Sequence, residues 1–276
     1  MGLSVSRWSE LKGVTASLYE AVRTSDISSI KNLAGLIDPE EMKFIVNERG
    51  LKVLEYAVDL SNQESFKALV AAGFNPADRD PNDDSLVMFA HTPAMIDLIV
   101  EHGGSVADVM RVGRSGGQAI HYFSASLNSK MLAKVIELGA DVNAKDHWGM
   151  TPLHIAAKYA KPARVNLLLD SGADPSICDS CGDSALHIAV RAGGDLPSLA
   201  HVDQVVRLLL EAGGVDLKQR SGNGKSLLQL AKGNIVLKEL IRGYGNSVGV
   251  AREIARSMDE VKLDPAPSRR SSGFSL

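Results

Sequence analysis

Three histidines, His121, His154 and His187, stand 33 residues apart, and a ladder of imidazoles at a fixed interval suggests a metal site. Cys178 and Cys181 are separated by two residues, the spacing of half a zinc site or of a redox pair. His147 lies one 33-residue interval before Ser180, between the thiols, so a partial ligand set is conceivable there. Gly113-Arg114-Ser115-Gly116-Gly117 is glycine-rich but lacks the Lys-Ser/Thr that completes a phosphate-binding loop. Met1-Gly2-Leu3-Ser4-Val5-Ser6 fits the acceptor pattern for a myristoyl chain on Gly2. No nucleophile with a spaced base and no pair of carboxylates on one helix stands out.

The interval itself points to architecture. Thr151-Pro152-Leu153-His154-Ile155-Ala156 is followed 33 residues later by Ser184-Ala185-Leu186-His187-Ile188-Ala189. Between them lie the apolar run Val165-Asn166-Leu167-Leu168-Leu169 and a closing Gly172-Ala173-Asp174. Proline in a first helical turn loses no needed hydrogen bond, and a preceding threonine can cap the exposed amides, so Thr151-Pro152 opens a helix. Glycine takes the left-handed conformation that closes one, so Gly172 ends the second helix. Two short helices cannot bury their apolar faces alone and must stack on neighbours.

This unit resembles the ankyrin repeat, whose T-P-L-H-x-A hexapeptide the first copy matches at all six positions. The resemblance covers residues 16–243 and is strongest over 113–216. It implies an all-α ankyrin-repeat solenoid of six or seven helix-turn-helix units with short β-hairpin fingers. By phase the units fall near 16–46, 47–79, 80–112, 113–145, 146–178, 179–220 and 221–243. A segment 1–15 precedes them, in which Trp8 and Leu11 would pack on the first unit. A helix at 244–263 and a disordered tail at 264–276 follow. Helix-closing Gly103 and Gly104 come three residues early, read as one loop shortened and the next lengthened. Nine extra residues separate the sixth and seventh units, placed mostly in an inter-helix loop at 193–203.

In the family the repeated histidine is a structural hydrogen-bonding residue that ties adjacent loops together, and weaker units hold Glu55 and Leu228 at the equivalent place. Helices packed about 10 Å apart cannot bring three such rings to one ion at about 2.0 Å. No metal and no cofactor are expected. The thiols lack a second ligand pair, and the chain is expected to be non-catalytic.

Ankyrin stacks bind proteins through their finger tips and the concave face of their first helices. Carried across by phase, those positions are His147, Trp148, Met150, Lys158 and Tyr159 in the fifth unit, with Arg114, Ser115, Asp183 and Arg191 flanking. Trp, Tyr and Arg are the types enriched where interfaces concentrate their energy. Trp148 either meets a partner or packs flat on the next finger.

Composition sets the outer bounds. The 276 residues are 45% apolar and 23% charged, ordinary for a globular chain, with a formal charge of −3 that argues against nucleic acid as partner. Two close cysteines do not staple a secreted fold, and the N-terminus has no apolar leader, so a cytoplasmic, monomeric protein is expected. The alternative is a membrane-anchored adaptor acylated on Gly2, or a bacterial effector delivered to a host cell without a cleaved signal.

Overall fold

The computed structural model describes residues 5–38, 46–77, 85–104, 117–126, 128–195 and 201–247. The described chain is a single stack of helix pairs. In order they are α1 (Val5–Thr24) with α2 (Ile27–Ala34), then α3 (Val53–Asp59) with α4 (Gln63–Ala71). A 3₁₀ turn (Leu86–Phe89) precedes α5 (Pro93–Glu101), and α6 (Ala119–Ala125) precedes α7 (Ser129–Glu137). The last pairs are α8 (Pro152–Lys158) with α9 (Pro162–Asp170), α10 (Ala185–Asp195) with α11 (Val202–Glu211), and α12 (Leu227–Leu230) with α13, residues 235–247. First-helix positions Val53, Leu86, Ala119, Pro152 and Ala185 follow each other at the 33-residue step. Buried side chains run in one continuous cluster from Leu11 on α1 to Ile241 on α13, so each pair completes its neighbour's core.

Local chemistry starts and stops these helices as the sequence suggests. Asp26, Asn62, Thr92, Asn128 and Ser226 each accept a hydrogen bond from a backbone amide in the first turn of the helix they precede. Proline occupies the first turn of α5, α8 and α9, where its missing N–H is not needed. Small buried residues Ala57, Ala156 and Ala189 share one phase on α3, α8 and α10, where α6 has the larger Phe123, and let those three helices approach their neighbours closely.

Four features differ from the sequence-based expectations. The short third unit does not lose a loop: its first helix shrinks to the single 3₁₀ turn, and α5 follows early. Met88 stands where the histidine would be and cannot accept the amide of Ser85, whose own Oγ is buried without a partner among the described residues. The insertion in the sixth unit is also partly helical, since α10 carries Gly193 and Gly194 as an added turn. A Cβ on Gly194 would sit 2.2 Å from the Leu230 carbonyl, so glycine is what lets that turn lie on α12. Residues 196–200 lie outside the described residues, as do the expected helix beyond Ser247 and the tail.

The fingers, finally, are turns more than hairpins. Asp146 N–H donates to the Met150 carbonyl at 2.9 Å, Asp179 N–H to Asp183 at 2.9 Å, and Asn47 N–H to Leu51 at 2.9 Å. Beyond these closing bonds, the only bridge among the described residues pairs Cys178 with Ser184. The N-terminal boundary near residue 15 falls within α1, which continues from Val5 to Thr24 and buries Leu11.

One residue breaks the pattern of the core. On α9, Arg164 stands where α7 has buried Met131 and α11 has buried Val205, and it is itself only 5% exposed. Its Nε has no hydrogen-bond partner among the described residues, and burial pushes the guanidinium below its ordinary pKa. A buried N–H without an acceptor opposes folding, and an apolar residue of similar reach removes that opposition. Arg164→Met is therefore expected to stabilise the chain by about 1–3 kcal/mol in urea unfolding. An unchanged or lower midpoint would mean that the guanidinium is paired in solution.

Candidate functional site

The three histidines are structural brackets. Nδ1 of His121 accepts from the Gln118 amide at 3.1 Å, that of His154 from Thr151 at 3.1 Å, and that of His187 from Ser184 at 3.3 Å. On the opposite edge Nε2 donates to main-chain carbonyls of the next finger. His121 reaches Ala144 and Met150, His154 reaches Asp183 and His187 reaches Gln219, all at 3.1 Å. Both nitrogens of each ring are thus engaged with backbone. No group of three or more His, Cys, Asp or Glu among the described residues is arranged to hold a metal ion. In the last unit the equivalent residue is Gln229, not Leu228, and its Oε1 accepts from the Ser226 amide at 2.9 Å. Glu55 does the same for Lys52 at 2.8 Å in the second unit.

The thiols are free, Cys178 half-buried and Cys181 exposed at a finger. Cys178 Sγ accepts from Gln219 Nε2 at 3.1 Å, a contact between successive fingers. No catalytic base is positioned on either sulfur by a described contact.

The residues expected to face a partner divide into three groups. Trp148 is at the fifth finger's tip and 58% exposed. Its main chain is held, the amide by Asp146 Oδ1 at 2.9 Å and the carbonyl by the Ser180 amide at 2.9 Å. Gly149 beside it has φ of +70°, and a Cβ there would meet Ser180 N at 2.8 Å, so a glycine is needed for the fingers to stack. His147 is exposed and Met150 half-buried. At the far end of α8, Lys158 is exposed and Tyr159 is 48% exposed, with the ammonium 5.9 Å from the ring centroid.

Asp183 is a correction. It is 1% exposed, and its carboxylate is turned inward, accepting from Arg191 on one oxygen and from the Gly222 amide at 3.0 Å on the other. It fixes the sixth finger to α10 and to the seventh finger instead of meeting a partner. The pair is informative nonetheless, because it ties Arg191, in the second half of α10, to its own finger. Lys158 and Met150 stand one period before Arg191 and Asp183, so α8 and the fifth finger share one face in the same way. Arg114 and Ser115 lie outside the described residues, as does Gly2.

A row that the sequence reading missed lies on the first helices: Tyr56, Phe89, Tyr122, Ile155 and Ile188, each 33 residues from the next. Tyr122 is 49% exposed, against the edge of Phe123 at 5.3 Å between centroids, and Ile155 is half-buried. The signal was present as an apolar residue directly after the bracketing position in each unit.

Comparison with known proteins agrees with this geometry. Family models described as ankyrin repeats match residues 135–189 and 181–221. The crystal structure of the ankyrin repeat domain of Bcl-3, a member of the IkappaB protein family, superposes with a TM-score of 0.66 at 24% identity, covering 81% of this chain and 97% of that one. The human ASB11 ankyrin repeat domain gives 0.66 at 20%, covering 82% and 96%. Residues 135–221 carry the ankyrin-repeat signature, and the described chain has the fold of an ankyrin-repeat domain.

Among curated relatives, protein phosphatase 1 regulatory subunit 12A of Mus musculus is 36% identical over 88 residues, 32% of this chain and 8% of that protein. SH3 and multiple ankyrin repeat domains protein 1 of Homo sapiens is 29% identical over 163 residues, 57% and 7% respectively. The matches thus span less than a tenth of those relatives.

The bracketing histidines carry a pH dependence. Burial lowers the pKa of His121 and His154, partly offset by their bonds to the Met150 and Asp183 carbonyls. The folded chain therefore takes up these protons at lower pH than the unfolded chain, so stability is full above the ordinary value of 6.5 and falls as pH drops below it. His154→Gln keeps an acceptor for the Thr151 amide, as Gln229 does for Ser226, but cannot titrate. It is expected to cost about 1 kcal/mol at neutral pH, for the lost bond to Asp183, and to reduce the loss of melting temperature on acidification. Melting curves at pH 7.5 and 5.5 test this, and equal acid sensitivity in wild type and variant would refute it.

Proposed function

We propose that the chain is a non-catalytic protein-binding module whose recognition face is built from the fifth and sixth fingers and the ends of α8 and α10. The observation that carries this reading is Trp148, a large apolar side chain exposed on a finger whose backbone is held on both sides. Binding at such a site orders little that is not already ordered, so the entropic cost of docking is small. The regulatory subunit and the multiple-ankyrin protein matched above support a role in bringing proteins together.

Trp148→Ala combined with Tyr159→Ala is expected to abolish retention of a partner that wild type retains, with the circular dichroism melt unchanged because both side chains are exposed. Truncating such residues costs about 2 kcal/mol or more at an interface centre. Retention by the folded double variant would move recognition elsewhere on the stack.

A second reading rests on Met1-Gly2-Leu3-Ser4-Val5-Ser6: acylation of Gly2 would add membrane association to the same binding role, in an adaptor or in an effector acting within a host cell. One acyl chain gives only marginal anchoring. Gly2→Ala is expected to shift the chain from the membrane fraction to the soluble fraction, and an unchanged distribution removes this reading. Without acylation we place the chain in the cytoplasm.

A further inference from the structure

The proposed face has a sign as well as a shape. Its finger carboxylates are turned to the backbone. Asp146 Oδ1 accepts from Trp148 and Met150, at 2.9 and 2.8 Å, and Asp179 Oδ1 from Cys181 and Asp183, both at 2.9 Å. Asp183 is closed off by Arg191 and Gly222. The lysines do the opposite. Lys158 is exposed at the end of α8, and Lys225 is exposed where the seventh finger replaces Met150 and Asp183. Arg191, one period after Lys158, gives Nη1 to Asp183 and is about a third exposed, so it offers its remaining N–H donors and no net charge. The whole chain carries −3, so the basic character is local and not a general property of the surface.

Apolar groups sit among these charges: Trp148 at the tip, Tyr159 beside Lys158, and Tyr122 and Ile155 on the first helices. Resting on the reading under Proposed function, we infer that this face takes an acidic segment of a partner protein, with aspartate or glutamate alternating with aromatic or aliphatic anchors. The repeat sets its spacing. Lys158 and Arg191 are one unit apart, about 10 Å between packed helices, and an extended chain rises about 3.3 Å per residue. Acidic residues about three apart, with an apolar residue between them, therefore meet successive units when the segment runs along the stack. A nucleic acid would find the same cations, but the overall negative charge opposes a long polyanion more than a short acidic peptide.

Selection of short random peptides displayed on phage, using the whole chain as bait, tests this, followed by affinity measurements with the synthetic winners. Peptides rich in Asp and Glu at about three-residue spacing are expected. Their binding should weaken with added salt, and by roughly tenfold or more in Lys158→Glu with Lys225→Glu, both exposed positions. Neutral or basic peptides that are lost with Trp148→Ala would overturn the acidic preference while leaving the face itself in place. Winners indifferent to both Trp148→Ala and the lysine reversals would overturn the face and the preference together. No enrichment over empty resin, or tighter binding of a short oligothymidine than of any peptide, also rejects the inference.

Discussion

A short inner helix exposes its first amides, and a stack of such helices leaves the carbonyls of each finger needing donors. One side chain at the third position of the helix meets both needs when it is a neutral imidazole with the proton on Nε2. His121, His154 and His187 accept from their own helix N-terminus and donate to the next unit's finger. Helix initiation, finger closure and stacking are thus coupled in one ring, which is buried and held neutral in His121 and His154. The fingers that bear the exposed face are positioned by this bracket.

The units that lack the histidine show what each half of the bracket does. Gln229 retains the bond to its own helix start, which suffices because no further described finger follows α12. Glu55 likewise caps α3. Met88 can make neither bond, and there the first helix contracts to a 3₁₀ turn while the 33-residue step to α6 is kept. Stacking contacts from α3, α5 and α6 hold that unit in register without the cap. Propensity and packing are therefore separable in this fold, and packing decides whether a unit remains in the stack.

Helix positions were legible because the period is written in residues with strict backbone roles: Pro152, Gly149, Gly172, and the Asn47, Asp146 and Asp179 that start fingers. The contraction of the third unit was misread because glycine spacing shows how many residues are missing but not from where. The loop assigned to 193–203 was misread because Gly193 and Gly194 look like loop residues, whereas their lack of a side chain serves close packing of α10 on α12 and α13. In the candidate site, the exposure of Trp148 and Tyr159 agrees with their phase. Asp183 did not, since phase gives the position of a Cα and not the direction of a carboxylate that finds an amide and a guanidinium nearby. Tyr122 was overlooked because an apolar residue directly after the buried bracket position carries no sign, in sequence alone, of being half exposed.

The fate of one phase position shows how scaffold and recognition are kept apart. Met150, Asp183 and Lys225 occupy the same place on three successive fingers. Asp183 is drawn into the scaffold because Arg191 and the Gly222 amide offer it partners, while Lys225 remains exposed. The finger turn is closed by main-chain bonds and by Asp146 or Asp179, so it does not depend on which residue stands there. Side chains at this position are consequently free to change without unfolding the finger. A face assembled from such positions can acquire a charge pattern, and with it a preference among partners, while the bracketing histidines and the alanine-lined helix contacts keep the stack intact.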